Sequence, residues 1–217
     1  MNLFVNKNDQ INNGLRSFLN YPVIYLLFQY LMNSHGKYKK FLNRFLTPIH
    51  GKRILDIGCG CADFLSFLPE DVEYVGYDLS PAYITYAKKR YGHRAKFFNQ
   101  RVNDIVIQET EPFDIVLADG LLHHIDDDEA KNLFKIGHSV LCDSGYMFTA
   151  DPTLVENQGF ISRRISLLDR GRHVRPPQEY EELSKSVFTL VEVYVIDNFQ
   201  NWPSTDCFLK CYKTHTK

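Results

Sequence analysis

The sequence predicts one α/β domain built on a seven-stranded, mostly parallel sheet with helices on both faces and a C-terminal antiparallel hairpin. Two observations predict this class. Short apolar runs alternate with helix-length segments along the chain, and the last two apolar runs lie close enough to pair as a hairpin. A chain of 217 residues with 44% hydrophobic content can bury the core of one such domain. We expect this domain to span residues 51–217, after an N-terminal helical lid region over residues 1–50.

Local signals support the individual elements. Ser80 followed by Pro81 is typical of a helix start, Asp127 opens an acid-started amphipathic helix, and Pro69 ends a helix that begins at Asp63. The crossovers are long enough for helices. The predicted strands are 53–57, 73–78, 95–99, 113–118, 145–150, 189–198 and 206–212, and the predicted helices are 63–68, 81–90, 127–141 and a region around 15–46.

Composition narrows the class of partner and the compartment. The formal net charge of −1 and the pI near 6.7 argue against a nucleic acid partner. The N-terminus shows no signal-peptide pattern, and the apolar stretch at residues 21–32 is too short to span a bilayer. The five cysteines are an odd number and indicate a reducing compartment, so we expect a cytoplasmic protein without a disulfide framework. Cys59 and Cys61 have no second cysteine pair at zinc-ligand spacing, and no metal is expected.

The most informative segment joins the first predicted strand to the next element. It reads Asp56-Ile57-Gly58-Cys59-Gly60 and continues to Asp63. An apolar strand that ends in an acid and a glycine-rich turn is typical of a loop that cradles a nucleotide. A dinucleotide-binding loop needs a third glycine where this chain has Asp63, and a carboxylate there would repel a pyrophosphate. Two carboxylates beside the loop favour a cationic ligand instead.

These residues resemble the first motif of the class I S-adenosylmethionine-dependent methyltransferases, which share a Rossmann-like fold. The resemblance extends over most of the predicted elements, from about residue 51 to 212. It implies S-adenosylmethionine as the cofactor and a contact with it from the loop. It also implies that the acid at the end of the second strand binds the adenosine ribose and that the next residue packs on the adenine. The implied cofactor-binding residues in this part of the chain are Asp56, Gly58, Cys59, Gly60, Asp78 and Leu79.

The segment after the third strand departs from the family pattern. Members often have an acid there that accepts the adenine amino group, whereas this chain has Arg101 at the corresponding position. Gln100 could supply the adenine contact through its amide oxygen, Asp104 could be the expected acid in a different alignment, or backbone groups alone could contact the base. We expect Gln100 and Val102 to be cofactor contacts.

The segment after the fourth strand is the predicted catalytic region, because ligands bind at the carboxyl ends of parallel strands. Asp119 and Gly120 leave the strand and are expected cofactor contacts, and His123 and His124 follow. Either histidine could take a proton from an acceptor, with Asp151 at the end of the neighbouring strand to orient it. The alternative is that the histidines only pack or hydrogen-bond at the cofactor.

A basic cluster between the fifth and sixth strands is the expected substrate-binding segment. Arg170, Arg172 and Arg175 suit recognition of a carboxylate or phosphate, although the alternative is a solvated loop or a salt bridge with Asp169. Tyr25 in the N-terminal region could stack on an acceptor, although aromatic residues at helical spacing also pack in cores.

Together these features predict a methyltransferase that acts on a small molecule. The main expectation is O-methylation of a sugar-like or anionic metabolite with a histidine base. The alternatives are C- or N-methylation of a lipid-like or amine acceptor, and a non-catalytic protein that binds S-adenosylmethionine. A homo-oligomer is compatible with the sequence.

Overall fold

The computed structural model describes residues 39, 42–46, 48–102, 111–169, 171–199 and 203–214. Most of the proposed N-terminal lid region, including Tyr25, lies outside the described residues, and so does Arg170. The division of the chain at residue 50 therefore stays a prediction.

The centre of the structure is one seven-stranded sheet, as predicted. Its strand order is β3-β2-β1-β4-β5-β7-β6. The first five strands are parallel to one another, while β7 pairs antiparallel with both β5 and β6. The strands are β1 Arg53–Ile57, β2 Glu73–Tyr77, β3 Ala95–Phe98, β4 Phe113–Asp119, β5 Leu141–Pro152, β6 Leu190–Asp197 and β7 Thr205–Tyr212.

In the part of the chain that the structure describes, four α-helices and two 3-10 helices connect these strands. The α-helix starts follow the capping rules: the Ser80 hydroxyl accepts from the backbone N–H of Tyr83, and the Asp126 carboxylate accepts from that of Glu129. The α-helices are α1 Pro81–Tyr91, α2 Asp127–Val140, α3 Phe160–Leu167 and α4 Pro177–Lys185, and the 3-10 helices are Asp63–Phe67 and Leu122–His124.

The first crossover corrects the sequence prediction. The expected helix over 63–68 is a five-residue 3-10 helix, and the chain enters β2 soon afterwards. Pro69 and the short distance between the glycine loop and β2 leave too few residues for a full α-helix. The helices α3 and α4 lie in the segment between β5 and β6, to which the sequence patterns assigned no helix.

The two faces of the sheet bury separate hydrophobic clusters because successive strand residues point to opposite sides. In β1, Leu55 packs in the cluster that includes residues of α2 and α4, while Ile54 packs in the cluster that includes residues of α1. The strand β5 is long enough to carry Asp151 beyond the pairing with β4, where Asp151 is 2% exposed. Among the described residues, no helix combines the length and the apolar content that crossing a membrane requires.

Candidate active site

The glycine loop leaves β1 at the carboxyl end of the sheet in a conformation that favours glycine. Gly58 and Gly60 have φ values of +82° and +53°, in the left-handed region. The backbone N–H groups of Gly58 and Cys59 donate to the carbonyl oxygen of Tyr77, at 2.8 and 3.0 Å. A Cβ atom at Gly58 would lie 3.4 Å from the side chain of Leu121, which follows β4. The loop therefore leaves β1 and packs against the end of β2 and against the segment that follows β4.

Three carboxylates surround this loop. Asp56 is 4% exposed, and its carboxylate accepts a hydrogen bond from the Tyr74 hydroxyl. Burial and the negative charges of Asp119 and Asp78 raise the pKa of Asp56 to about 7, although the hydrogen bond from Tyr74 opposes them. A cation would stabilise the ionised form of Asp56 in this position, so the site fits a ligand that carries an ammonium and a sulfonium.

Asp78 links the end of β2 to the loop. One of its carboxylate oxygens accepts from the backbone N–H of Gly60 at 3.0 Å, and the other accepts from that of Ser80 at 2.7 Å. Each carboxylate oxygen has a second lone pair, so these contacts leave acceptor capacity for the hydroxyls of a ribose. Leu79 beside it is 43% exposed. The roles of Asp78 and Leu79 toward a cofactor stay predictions.

The residues expected to contact the adenine lie in two different environments. Gln100 is exposed, whereas Val102 is 5% exposed and packs in the cluster that contains Leu55 and Tyr77. Residues 103–110 lie outside the described residues. Both contacts therefore stay predictions.

The imidazole of His123 lies between two carboxylates. Its Nδ1 is 2.8 Å from Oδ1 of Asp151, which also accepts from the backbone N–H of His123 at 3.1 Å. Its Nε2 is 3.2 Å from Oδ1 of Asp169. The expected contact between a histidine after β4 and Asp151 is therefore present, and the second carboxylate, Asp169, was not assigned to this site from the sequence.

The charge of His123 follows from this arrangement. Burial by itself would lower the pKa of His123, but the hydrogen bonds and charges of Asp151 and Asp169 outweigh burial and raise the pKa to about 9. The same interactions keep the pKa of Asp169 below its usual value, although burial opposes them. At neutral pH His123 is a cation with a proton on both ring nitrogens, a state that cannot accept a proton. His124 is partly exposed, and its ring centre lies 3.9 Å from that of His123.

A further buried acid, Asp206 on β7, lies next to this group and was missed by the sequence analysis. It is 6% exposed, and the Ser204 hydroxyl donates to it at 2.7 Å. Burial raises its pKa to about 7, and the charges of Asp119 and Asp151 add to the effect. No local motif marks Asp206, because only the antiparallel pairing of β7 with β5 brings it to this end of the sheet.

The structure does not support an acceptor-binding role for Arg175. Its guanidinium is 4% exposed and donates to the Asp127 carboxylate and to the carbonyl oxygens of Leu122, Ile125 and His173, at 2.8 to 3.0 Å. These contacts use its donors inside the domain. Arg172 is exposed.

The role of Asp169 differs from the alternative considered in the sequence analysis. It pairs with His123 and accepts from the backbone N–H of Gly171 at 2.7 Å. An aspartate two residues before a glycine is typical of a turn closed by the aspartate side chain, and this was the available signal for a fixed Asp169.

Solved methyltransferases share this architecture. Phosphoethanolamine N-methyltransferase 2 of Haemonchus contortus matches with a TM-score of 0.69 and 18% identity, over 94% of this chain and 61% of that chain. A TehB-like methyltransferase of Corynebacterium glutamicum matches with a TM-score of 0.55 and 18% identity, over 82% and 88%. Cyclopropane synthase MmaA2 of Mycobacterium tuberculosis matches with a TM-score of 0.55 and 19% identity, over 73% of this chain and 62% of that chain. At such identities the likeness establishes the fold, and this chain spans less than two thirds of the first and third proteins.

A sequence comparison with family models matches the central part of the chain. No curated protein matches the chain. Residues 54–145 match the family model described as a methyltransferase domain. This segment contains the glycine loop, Asp78, Asp119 and both histidines. This match agrees with the resemblance of these motifs to the class I S-adenosylmethionine-dependent methyltransferases.

Proposed function

We propose that this chain binds S-adenosylmethionine at the glycine loop and transfers its methyl group to a small molecule at the carboxyl ends of β4 and β5. The observation that carries this proposal is the set of three carboxylates, Asp56, Asp78 and Asp119, around a left-handed glycine turn. They suit a cationic nucleotide derivative and would repel a pyrophosphate.

The residues that would hold the cofactor have separate tasks. The bound cofactor supplies a methyl group attached to a sulfonium. Asp78 would accept hydrogen bonds from the ribose hydroxyls, and Leu79 would pack on the adenine. The glycine backbone from Gly58 to Gly60 would let the cofactor approach the loop closely. Asp56 and Asp119 balance positive charge. Cys59, Gly120, Gln100 and Val102 complete the proposed set.

We propose a hydroxyl of a sugar-like or anionic metabolite as the acceptor group. A ring nitrogen of His124 takes the hydroxyl proton, because the ring of His123 already holds two protons between Asp151 and Asp169. His123 is then a positioning residue that fixes the segment carrying His124. Arg172, Arg170 and Tyr25 are the proposed contacts to the rest of the acceptor.

One observation favours a second candidate, methylation of an amine. Asp206 is buried near Asp119 and Asp151, and all three carry or can carry negative charge. A protonated amine would be attracted to this group of acids. The H. contortus match is an N-methyltransferase by name, which supports testing this class.

The test is transfer of an isotope-labelled methyl group to a panel of hydroxyl and amine acceptors. We expect His124→Gln to lower kcat by roughly 100-fold because it removes the proton acceptor. His93→Gln is the matched control, because His93 is an exposed histidine that follows the end of α1. If an amine is methylated instead, Asp206→Asn should raise KM. Cofactor binding without transfer to any acceptor would favour the non-catalytic alternative.

A further inference from the structure

The helix α3 is turned with its polar side toward the protein and its apolar side toward solvent. Ser162 and Ser166, one turn apart, are 6% and 4% exposed. Phe160 and Ile161 at the start of the helix are 74% and 60% exposed. An amphipathic helix on a globular protein normally has the opposite orientation.

Specific hydrogen bonds fix this orientation. The Ser162 hydroxyl lies 2.9 Å from the Thr205 hydroxyl on β7. The Gln158 side-chain amide donates to Ser162 at 2.9 Å and to Ser166 at 3.2 Å. Rotation of the helix to bury its apolar side would break these contacts and leave buried polar groups without partners. The apolar side is therefore held outward.

The apolar side continues past the end of the helix. Leu167 and Leu168 are 59% and 61% exposed, so four large apolar side chains are grouped on nine consecutive residues. The other exposed large apolar residues described in the structure, Leu79, Phe98 and Val195, belong to three different strands or turns. A grouped patch of this kind marks an interaction surface more strongly than scattered residues do.

The charges on α3 indicate the chemistry of the partner. Arg163 and Arg164 are exposed, and the Arg164 guanidinium lies 5.4 Å from the centre of the Phe160 ring. Arg172, in the connection to α4, is also exposed, and Glu156 is the exposed acid that precedes the helix. Because the whole chain has a formal charge of −1, this excess of arginine is local. Apolar side chains flanked by arginines are typical of helices that lie in the interface of an anionic membrane.

We propose that α3 and Leu168 dock on the surface of a membrane that contains anionic lipids. Phe160, Ile161, Leu167 and Leu168 enter the boundary between headgroups and acyl chains, and Arg163 and Arg164 contact lipid phosphates. The surface follows Asp151 and Pro152 of β5 in the chain, so docking brings the carboxyl ends of the strands near the lipid. None of the residues proposed to contact the lipid is assigned to methyl transfer, so the proposal stands independently of it.

Co-flotation of the full chain with lipid vesicles tests this proposal. We expect binding to phosphatidylglycerol vesicles, and binding to phosphatidylcholine vesicles about tenfold or more weaker, because two arginines lose their anionic partners. Leu167→Gln with Leu168→Gln should lower binding about tenfold or more on both lipids. Arg163→Gln with Arg164→Gln should remove most of the preference for phosphatidylglycerol. The matched controls are Phe98→Gln and the pair Lys88→Gln with Lys89→Gln, which change exposed residues on β3 and α1 and should leave binding unchanged.

Three outcomes would overturn the proposal. Absence of flotation on phosphatidylglycerol would show that another part of the chain or a partner covers α3. The contact would lie elsewhere if the Lys88 and Lys89 substitutions lowered flotation as much as the α3 substitutions do. Sedimentation equilibrium could also show a dimer that the Leu167 and Leu168 substitutions dissociate. If the protein then bound no vesicles, the surface would belong to the contact with a second copy of this chain.

Discussion

Gly171 lies directly against His123. A Cβ atom at Gly171 would lie 2.3 Å from both the ring carbon Cδ2 and the carbonyl oxygen of His123. The same carbonyl accepts from the backbone N–H of His173 at 3.0 Å. The segment after α3 is thus fixed to the chain after β4 by backbone contacts as well as by the pairing of Asp169 with His123, and it can close against the site only with a glycine at this position.

Gly171→Ala should displace this segment. We expect the free energy of unfolding to fall by about 1–3 kcal/mol, because the new methyl group forces the backbone away from His123. Thermal or urea unfolding measures the change. Gly159→Ala is the matched control, since nothing lies within 4 Å of a Cβ atom there. Equal effects of the two substitutions would contradict the close packing.

The pairing of His123 with Asp151 and Asp169 should appear in the pH dependence of stability. The pKa of His123 is about 9 in the folded protein, above its usual value of 6.5, so the folded state binds the proton more tightly. This contribution is complete below pH 6.5 and is lost as pH rises to about 9, on the order of 2–3 kcal/mol.

The measurement is the difference in free energy of unfolding between the wild type and His123→Gln across pH 6 to 9. The difference isolates His123 from other groups that titrate in this range. We expect it to shrink steadily as pH rises. A constant difference would show that folding leaves the pKa of His123 unshifted, and a difference that grows with pH would show that His123 is held neutral in the folded protein. Either result would return His123 to consideration as a base.

Arg175 and Arg172 should behave differently. Arg175→Met should lower the free energy of unfolding by about 3 kcal/mol, because it removes a buried guanidinium that pairs with the exposed Asp127 carboxylate and leaves carbonyl oxygens without donors. Arg172→Met should leave stability nearly unchanged because its side chain is exposed. If Arg172 binds an anionic acceptor, the same variant raises KM. A larger loss of stability from Arg172→Met than from Arg175→Met would contradict the burial of Arg175 and the exposure of Arg172.

Asp56 should make cofactor binding depend on pH. Its pKa of about 7 means that it is largely protonated at pH 6 and ionised at pH 8. Only the ionised form attracts a cationic ligand, so S-adenosylmethionine affinity should rise between these values by up to about tenfold. Asp56→Asn should flatten this dependence. S-adenosylhomocysteine lacks the sulfonium charge and should show a weaker dependence, which calorimetry at several pH values can measure.

The sequence predicted the sheet well because its strands are bounded by clear turn and capping residues. Ser80 with Pro81 starts α1 as expected, and the glycine loop and Asp78 meet because consecutive parallel strands end at the same edge. The role of Arg175 could not be predicted, since a loop arginine has the same local pattern whether it faces solvent or is buried with its donors paired inside the domain. Asp206 joins the site through strand pairing between residues more than fifty positions apart, which no local motif encodes.

The most direct test of the central proposal is calorimetric titration of S-adenosylmethionine into the wild type, Asp78→Ala and the control Asp143→Ala, which changes an exposed acid away from the loop. We expect the wild type and the control to bind alike and Asp78→Ala to lose roughly tenfold or more in affinity, because a ribose loses its carboxylate acceptor. Absence of binding to the wild type, or unchanged binding by Asp78→Ala, would contradict the proposed cofactor site.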